Sequence, residues 1–259
     1  AKSLRQVDEL ATAAEKAQRR LMPVYQYRFG HGAQKLKLLV DAGVAGPAYL
    51  TTVETAWRRR LPYYDGTWRG KWETELGGAL VTLAIHAHDL VTYILGPVAN
   101  VYARTATAVN PIETEDTLSA SLQMADGSLC SLAVTTGSVR EISRHRFCFA
   151  NVTAESCLEP YSNTSDPWQF DADTPQATAQ IDELLAGFVP LPERYVGQFS
   201  RFAQALACNT ELPVTIHDAH VSLELITALY KSSATGQPVS LPISPDDEWY
   251  EGWHRSTNE

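Results

Sequence analysis

Hydrophobic and polar positions along the chain follow two different periods, and the helical period is the more extensive. Apolar residues three or four positions apart predict helices in five segments: 4–14, 33–42, 79–95, 195–206 and 216–233. Ser3 opens a capping box before the first helix, while Gly96-Pro97 and Gly236 mark the ends of two others. Each of these amphipathic helices needs a surface on which to bury its apolar side.

A two-residue period indicates β-strands between the helices. It covers four segments, 49–57, 98–109, 117–124 and 129–136, and residues 146–152 can add another strand. Ala125-Asp126-Gly127 predicts a hairpin, whereas residues 155–193, rich in Ser, Asp and Pro, are predicted to be loop with short structured pieces. This order predicts an α+β fold with a large, mainly antiparallel sheet and helices on one face.

Composition and charge exclude several classes of function. The 259 residues carry a net charge of −9, so the chain lacks the basic surface of a nucleic-acid-binding protein. Arg58-Arg59-Arg60 is interpreted as a solvated strand end, with a phosphate contact for a cofactor or a nucleotide-sugar as the alternative. Cysteines without Cys-x-x-Cys spacing predict free thiols and no metal site, and the absence of a membrane-length apolar run predicts a cytoplasmic protein without a membrane partner.

Candidate chemistry lies in the helix that follows Gly77-Gly78. At about 100° per residue, Thr82, His86 and Asp89 share one face, whereas His88 points about 200° away from His86 and cannot chelate the same metal. An imidazole is the side chain best suited to exchange a proton near neutral pH. A lone histidine on an apolar helix is nevertheless more often structural, so its context must decide.

That context is a family resemblance. The segment 77–90, with two glycines, an apolar run and then His86-x-x-Asp89, resembles the active-site helix of the Gfo/Idh/MocA family of NAD(P)-dependent oxidoreductases. Four further pieces fit the family in order: residues 21–29, 63–72, 115–127 and 228–239. The similarity spans nearly the whole chain, which is therefore identified as a member of this family.

The resemblance implies roles for particular residues. His86 corresponds to the catalytic base, and Thr82 stands where many members have an aspartate that assists this base. Asp89, one helical turn on the other side of His86, could take over that role, or it fixes the helix by a hydrogen bond. The remaining candidates are Gln26, Arg28, Trp68 and Arg69 for the cofactor, and Tyr25, Tyr64 and Trp72 for the substrate. Structural alternatives stay open, because Arg28 could hold a carboxylate and Tyr64 and Trp72 could be core anchors.

The resemblance also predicts the domain organisation. Family members begin with a Rossmann domain whose glycine-rich turn binds the pyrophosphate, but Gly30-His31-Gly32 lacks the third glycine and the spacing. Residues 1–29 are therefore predicted to be the last helix and strand of a truncated Rossmann domain, cut just after the family's Glu-Lys-Pro motif. Residues 30–259 are predicted to form the substrate-binding and oligomerisation domain.

The expected activity is that of a parent enzyme which transfers a hydride between a sugar, cyclitol or similar polyol and NAD or NADP. The fragment alone is expected to be inactive and to bind no cofactor tightly. Two alternatives remain: a redox-assisted glycosidase that uses NAD, and a non-catalytic sugar-binding or oligomerisation module. As in the family, the open sheet face is expected to form a homo-oligomer.

Overall fold

The computed structural model describes residues 1–66 and 68–253, which form eight helices and eight strands. The helices are α1 Leu4–Lys16, α2 His31–Asp41, α3 Leu61–Tyr64, α4 Trp72–Glu75, α5 Ile85–Leu95, α6 Pro175–Ala186, α7 Arg194–Cys208 and α8 Ile216–Thr235. The strands are β1 Ala48–Arg58, β2 Val98–Ala106, β3 Thr117–Met124, β4 Leu129–Thr135, β5 Gly137–Phe149, β6 Val152–Ser156, β7 Trp168–Ala172 and β8 Val239–Ser240. A π-helical segment, Leu80–Ala84, precedes α5, and 3₁₀ turns occupy Gln26–Phe29 and Glu248–Glu251.

All eight strands belong to one sheet, in the order β7-β6-β5-β1-β4-β3-β2-β8. Only the β1–β4 pair is parallel, and the other six neighbouring pairs are antiparallel. The predicted turn at residues 125–127 joins β3 to β4, and Gly127 adopts a φ of +89°, which glycine tolerates without a steric penalty. The α+β fold with a mainly antiparallel sheet is thus confirmed.

The sheet has one covered face and one open face, as the alternation of residue types dictates. In β3, Leu118, Ala120 and Leu122 are buried beneath the helices, whereas Ser119 and Ser121 are exposed on the opposite side. Helix α8 packs on β2 and α5 packs on β1. The hydrophobic core therefore lies between the sheet and these two helices, which brings the start of α5 close to the N-terminal segment.

Residues 21–25 depart from the prediction, because they do not form a strand. A strand exists only when a neighbour accepts its backbone hydrogen bonds. Here the Gln198 side chain takes the neighbour's place: its Oε1 accepts from Tyr25 N at 3.0 Å, and its Nε2 donates to Pro23 O at 2.7 Å. The side-chain amide of Gln198, on α7, thus fixes the backbone of this segment beside the core.

The region 155–193 is more ordered than the sequence suggested. It contains β7 and the twelve-residue helix α6, whose N-cap Thr174 accepts a hydrogen bond from Ala177 N at 3.1 Å. Strand β5 is also longer than expected and begins at Gly137. Both differences arise from tertiary contacts, since β7 pairs with β6 and α6 packs on β7. Local composition does not report such contacts.

Candidate functional site

The start of the candidate helix is held by one buried glutamate. Glu115 accepts hydrogen bonds from Gly78 N at 3.0 Å and Leu80 N at 2.9 Å through its carboxylate, and from Ala79 N at 3.0 Å through its carbonyl. A Cβ on Gly78 would lie 1.8 Å from that carbonyl oxygen, so only glycine fits. Burial raises the pKa of Glu115 to about 7, and the hydrogen bond from Leu80 opposes this rise.

The π-helical segment Leu80–Ala84 changes the face that the sequence predicted. A π turn contains one residue more than an α turn and so rotates the side chains on either side of it relative to each other. Thr82 donates its hydroxyl to Gly78 O at 2.9 Å, while His86 Nδ1 is buried and has no hydrogen-bond partner in the described residues. No hydrogen bond in this part of the chain joins Thr82 to His86.

His86 lies against two tyrosines of the N-terminal segment. Its ring centroid is 6.2 Å from that of Tyr25, at an interplanar angle of 73°, and 5.5 Å from that of Tyr27, at 39°. Burial lowers the pKa of His86 to about 4. The imidazole is therefore neutral at pH 7 and can accept a proton.

A cavity of about 360 Å³ opens beside His86. Its walls come from α1, from residues 21–25, from the π-helical segment and from α8, and they include the apolar side chains of Leu10, Val24 and Leu223. Tyr25, predicted to contact substrate, also borders this cavity. The imidazole is thus not sealed within the core, and the N-terminal segment forms part of the wall of its cavity.

Asp89 and Arg28 form a buried ion pair. The carboxylate of Asp89 is fully buried and accepts from Arg28 Nε at 2.8 Å and Nη2 at 2.5 Å, while Arg28 Nη1 donates to Asp218 at 2.8 Å. Burial alone would lower the pKa of Arg28, but the hydrogen bonds and charges of Asp89 and Asp218 raise it above its usual value. Ser222 also donates to Asp89 at 3.1 Å. This geometry favours the structural alternative for both Arg28 and Asp89.

His88 points away from His86, as the helical period predicted, into a second buried environment. It is 1 % exposed and neither of its ring nitrogens has a hydrogen-bond partner among the described residues. Burial and the nearby His145 lower its pKa to about 3. His88 is therefore a neutral core residue in the folded chain at physiological pH.

The aromatic loop places its candidate residues away from His86. Tyr64 and Arg69 border a separate cavity of about 640 Å³ together with Lys71 and Glu113. The Arg69 guanidinium lies 4.8 Å from the ring centroid of Trp68, which is half exposed. Thr67 of this loop lies outside the described residues.

Trp72 borders a third cavity, of about 430 Å³, near Trp253 and packs edge-on against Tyr230 at 5.7 Å. The predicted substrate residues Tyr25, Tyr64 and Trp72 therefore line three different cavities. Of the three, the structure brings only Tyr25 to His86.

The residues proposed for the cofactor do not form a pyrophosphate site among the described residues. Gln26 is buried, and its Oε1 has no hydrogen-bond partner there. A Cβ on Gly30 would lie 2.2 Å from the Thr164 carbonyl oxygen, and one on Gly32 would lie 2.0 Å from the Trp168 ring. These glycines allow α2 to pack closely on residues 164–168 and do not form a phosphate-binding turn.

Sequence reasoning missed two contributors to this site. Tyr27 contacts His86, and Asp218 completes the ion-pair network of Arg28. Asp218 also closes a capping box with Thr215, which was visible in the sequence as a helix start but not as a partner of Arg28. Glu115 lies in one of the segments that resemble the family. Its hydrogen bond with Gly78, however, could not be predicted from that resemblance.

Residues 1–66 and 68–253 contain neither a candidate metal site nor a single membrane-spanning helix. No group of three or more His, Cys, Asp and Glu side chains in these ranges could hold a metal ion. No single helix in them is long and apolar enough to cross a bilayer, although the bent pair Trp72–Thr82 and Ile85–Leu95 reaches the required length and composition.

Residues 33–149 match the family model described as GFO/IDH/MocA C-terminal domain. Over these residues the chain is similar to the Gfo/Idh/MocA family of oxidoreductases.

Solved structures and curated relatives agree with this assignment. The WlbA dehydrogenase from Bordetella pertussis, solved in complex with NADH and UDP-GlcNAcA, superposes with a TM-score of 0.80 at 29% identity, over 94% of this chain and 70% of that one. The D-glucoside 3-dehydrogenase of Escherichia coli (strain K12) is 25% identical over 91% of this chain and 69% of its own length. The uncharacterized oxidoreductase YrbE of Bacillus subtilis (strain 168) is also 25% identical, over 92% of this chain and 68% of its own length.

The ion pair predicts a large loss of stability in a single variant. Asp89→Ala leaves Arg28 buried with one carboxylate fewer, and we expect the free energy of unfolding to fall by ~3–5 kcal/mol. Urea denaturation measures this change. The double variant Arg28→Met/Asp89→Leu removes both charges and is expected to be more stable than Asp89→Ala. A single variant as stable as the wild type would contradict the assigned role.

The buried state of His88 predicts a specific pH dependence. Because its folded-state pKa lies below its unfolded-state value, the unfolded chain binds the extra proton and stability falls as the pH drops below about 6.5. Between pH 7.5 and 5, we expect the wild type to lose ~2 kcal/mol more than His88→Leu. Urea denaturation at both pH values measures this difference in stability loss. We expect the same difference between the wild type and His88→Phe. Parallel pH profiles of wild type and variants would refute the prediction.

Proposed function

We propose that this chain is the substrate domain of an NAD(P)-dependent dehydrogenase that acts on a sugar or related polyol. The observation that carries the proposal is the neutral, partly buried His86 at the edge of a cavity that the N-terminal segment helps to line. The activity printed for the E. coli relative, a D-glucoside 3-dehydrogenase, and the UDP-sugar complex of the WlbA enzyme support a carbohydrate substrate.

In this mechanism, the chain supplies proton transfer and positioning. His86 takes the proton of the substrate hydroxyl as the carbinol carbon is oxidised, and its neutral state at pH 7 leaves a ring nitrogen free to do so. Tyr25 and Tyr27 pack on the imidazole and fix its orientation. A bound nicotinamide ring would accept the hydride. Thr82 and Asp89 act indirectly, through the helix start and the Arg28 ion pair.

The cofactor requires a dinucleotide-binding domain, which we propose packs on the surface formed by α1 and residues 21–25. Leu10, Leu21 and Val24 are large apolar side chains exposed on this surface. Residues 1–29 would then belong to that domain and residues 30–259 to the substrate domain. Gln26, Trp68 and Arg69 remain proposed cofactor contacts, to be reached when the two domains close, and the 259 residues alone are expected to be inactive.

The transient-oxidation glycosidase remains a second candidate, because oxidation at a ring carbon next to His86 could also precede cleavage of a glycosidic bond. It needs an additional acid or base to expel the leaving group. Among the described residues, Asp89 is committed to Arg28, Glu115 to the helix start and Glu75 to the backbone N–H of Gly70. The dehydrogenase is therefore the simpler proposal.

The His86 proposal is tested in an enzyme that joins this chain to its dinucleotide-binding domain. We expect His86→Gln to lower kcat by about 100-fold or more with little change in KM, because a general base contributes at least that factor. The measurement is reduction of NAD⁺ or NADP⁺ across a panel of sugars and polyols. His217→Gln, a change of an exposed histidine, should keep normal turnover. Full turnover by His86→Gln would exclude the role.

We also propose that the open sheet face joins copies of the chain. Small side chains, including Ser121, Ser131 and Ala133, make this face flat, and Tyr102 and Leu129 add exposed apolar area. A second sheet could approach such a surface closely. The alternative of a non-catalytic oligomerisation module rests on the same face.

A lysine at the centre of this face should separate the copies. Ser131 pairs with Thr52 on one side and Ser121 on the other, so Ser131→Lys would place a charge in the middle of the contact. Sedimentation velocity is expected to show a dimer or larger species for the wild type and a monomer for this variant. Gln169→Lys on β7 is the control for the charge change. A monomeric wild type at micromolar concentration would contradict the proposal.

A further inference from the structure

The cavity beside His86 has few polar groups in its walls. Its volume is about 360 Å³, and the described residues that line it have apolar side chains with two exceptions, Tyr25 and His86. A site for a small molecule normally combines apolar walls with a few polar groups that fix the orientation of the ligand. Here the polar side chains are limited to one phenol and one imidazole.

Helical spacing accounts for much of the apolar wall. Ile216, Ala219 and Leu223 are three or four residues apart on α8, and Val7 and Leu10 are three residues apart on α1, so each set shares one helix face. Val7 and Leu223 also belong to the hydrophobic core. Most backbone groups of such helices are bonded within the helix and are not offered to a ligand.

Polar side chains on the neighbouring elements bind partners outside the cavity. Thr82, in the π-helical segment, donates its hydroxyl to Gly78 O at 2.9 Å and does not line the cavity. Asp218, in the first turn of α8, accepts from Arg28 Nη1 at 2.8 Å. The hydrogen-bonding capacity of these two side chains is therefore used within the protein.

The extended segment 21–25 forms another wall and presents few backbone groups. The Gln198 side chain accepts from Tyr25 N at 3.0 Å and donates to Pro23 O at 2.7 Å. Pro23 itself has no N–H group. The same amide that fixes this segment thus occupies two of the groups that a ligand hydroxyl would otherwise bind.

The cavity at the aromatic loop has a contrasting composition. Its volume is about 640 Å³, and its lining includes Asp65, Arg69, Lys71 and Glu113. A polyhydroxylated ring would find charged partners there, but His86 does not line that cavity. The candidate base and the charged side chains are therefore in separate cavities.

Apolar walls restrict the hydroxyl groups that a ligand can carry into the cavity of His86. A hydroxyl that leaves water without a new hydrogen-bond partner weakens binding. The reacting hydroxyl meets His86, whose Nδ1 is buried and has no partner among the described residues. Ring positions that face α1 and α8 meet apolar side chains, and carbon–hydrogen groups gain from burial there.

We propose that the ring bound in this cavity is partly deoxygenated: a deoxy sugar or a cyclic alcohol that carries the reacting hydroxyl and few others. This inference rests on the proposed dehydrogenase function for the reaction, but not for the binding preference. Leu10, Leu21 and Val24, on which the dinucleotide-binding domain is proposed to pack, also line the cavity. That domain would therefore close the cavity over an apolar rim.

NMR titration of the 259-residue chain tests the preference without any cofactor. The ring signals of His86, identified by their absence from His86→Gln, report binding at this cavity. The probes are cyclohexanol, vicinal cyclohexanediol and myo-inositol, which share one carbon ring and carry increasing numbers of hydroxyl groups. We expect cyclohexanol to bind at least about tenfold more tightly than myo-inositol, with the diol between them.

Polar substitutions in the wall should reduce this preference. Val24→Thr and Met22→Gln add a hydroxyl and an amide to the cavity with little change of side-chain volume, and each is expected to narrow the preference by about threefold or more. Val189→Thr is the matched control, because Val189 is 72% exposed and lies outside the cavity. It should leave all three affinities unchanged.

Three results in the chain alone would overturn the inference: tighter or equal binding of myo-inositol, probe binding that leaves the His86 signals unchanged, and a preference that survives both wall variants. In the joined enzyme, we expect kcat/KM for the diol to exceed that for myo-inositol by about tenfold or more. A joined enzyme that prefers myo-inositol would overturn the inference and leave the dehydrogenase standing. Cyclohexanol binding as expected, together with full turnover by His86→Gln, would instead reject the catalytic role and leave the cavity preference intact.

Discussion

The contact between Arg28 and its two carboxylates organises the rest of this structure. Arg28 lies at the end of the N-terminal segment, Asp89 on α5 and Asp218 at the start of α8. A guanidinium buried here would be unstable without both partners, so the three elements must assemble together. This requirement fixes the N-terminal segment against the core and holds Tyr25 and Tyr27 against His86. The geometry of the site is therefore a consequence of charge pairing beside Tyr25, which lines the cavity.

Burial away from water is the second constraint. Its consequences differ among the titratable groups of α5 and Glu115, which binds the start of the helix. His86 and His88 both stay neutral because burial penalises the imidazolium, but His86 borders a cavity whereas His88 is buried in the core. Glu115, also buried, uses its carboxylate to bind the backbone at the helix start. The three groups are thus all buried to a large extent, yet His86 is a candidate base, His88 a core residue and Glu115 a helix cap. Access to a cavity, rather than the pKa shift, separates function from structure here.

Much of the fold followed from residue periodicity. The alternation in β3 and β4 and the turn at residues 125–127 specified the central hairpin, because a one-residue shift would turn every apolar side chain to solvent. Helix α6 and strand β7 were missed because they are stabilised mainly by neighbours distant in sequence. The site was predicted less completely. His86 was identified through the family pattern, whereas the separation of Tyr64 and Trp72 from it depends on how the loop folds.

The sequence by itself determined the family resemblance, the α+β class, the two faces of the sheet and the position of the candidate histidine, since each depends on residue type and spacing along the chain. Only the tertiary structure decided which partners the polar side chains take. It paired Arg28 with Asp89 and Asp218, introduced the π-helical segment, and placed Tyr27 on His86. These contacts join residues separated by tens to nearly two hundred positions, and a local pattern cannot encode a distance in space.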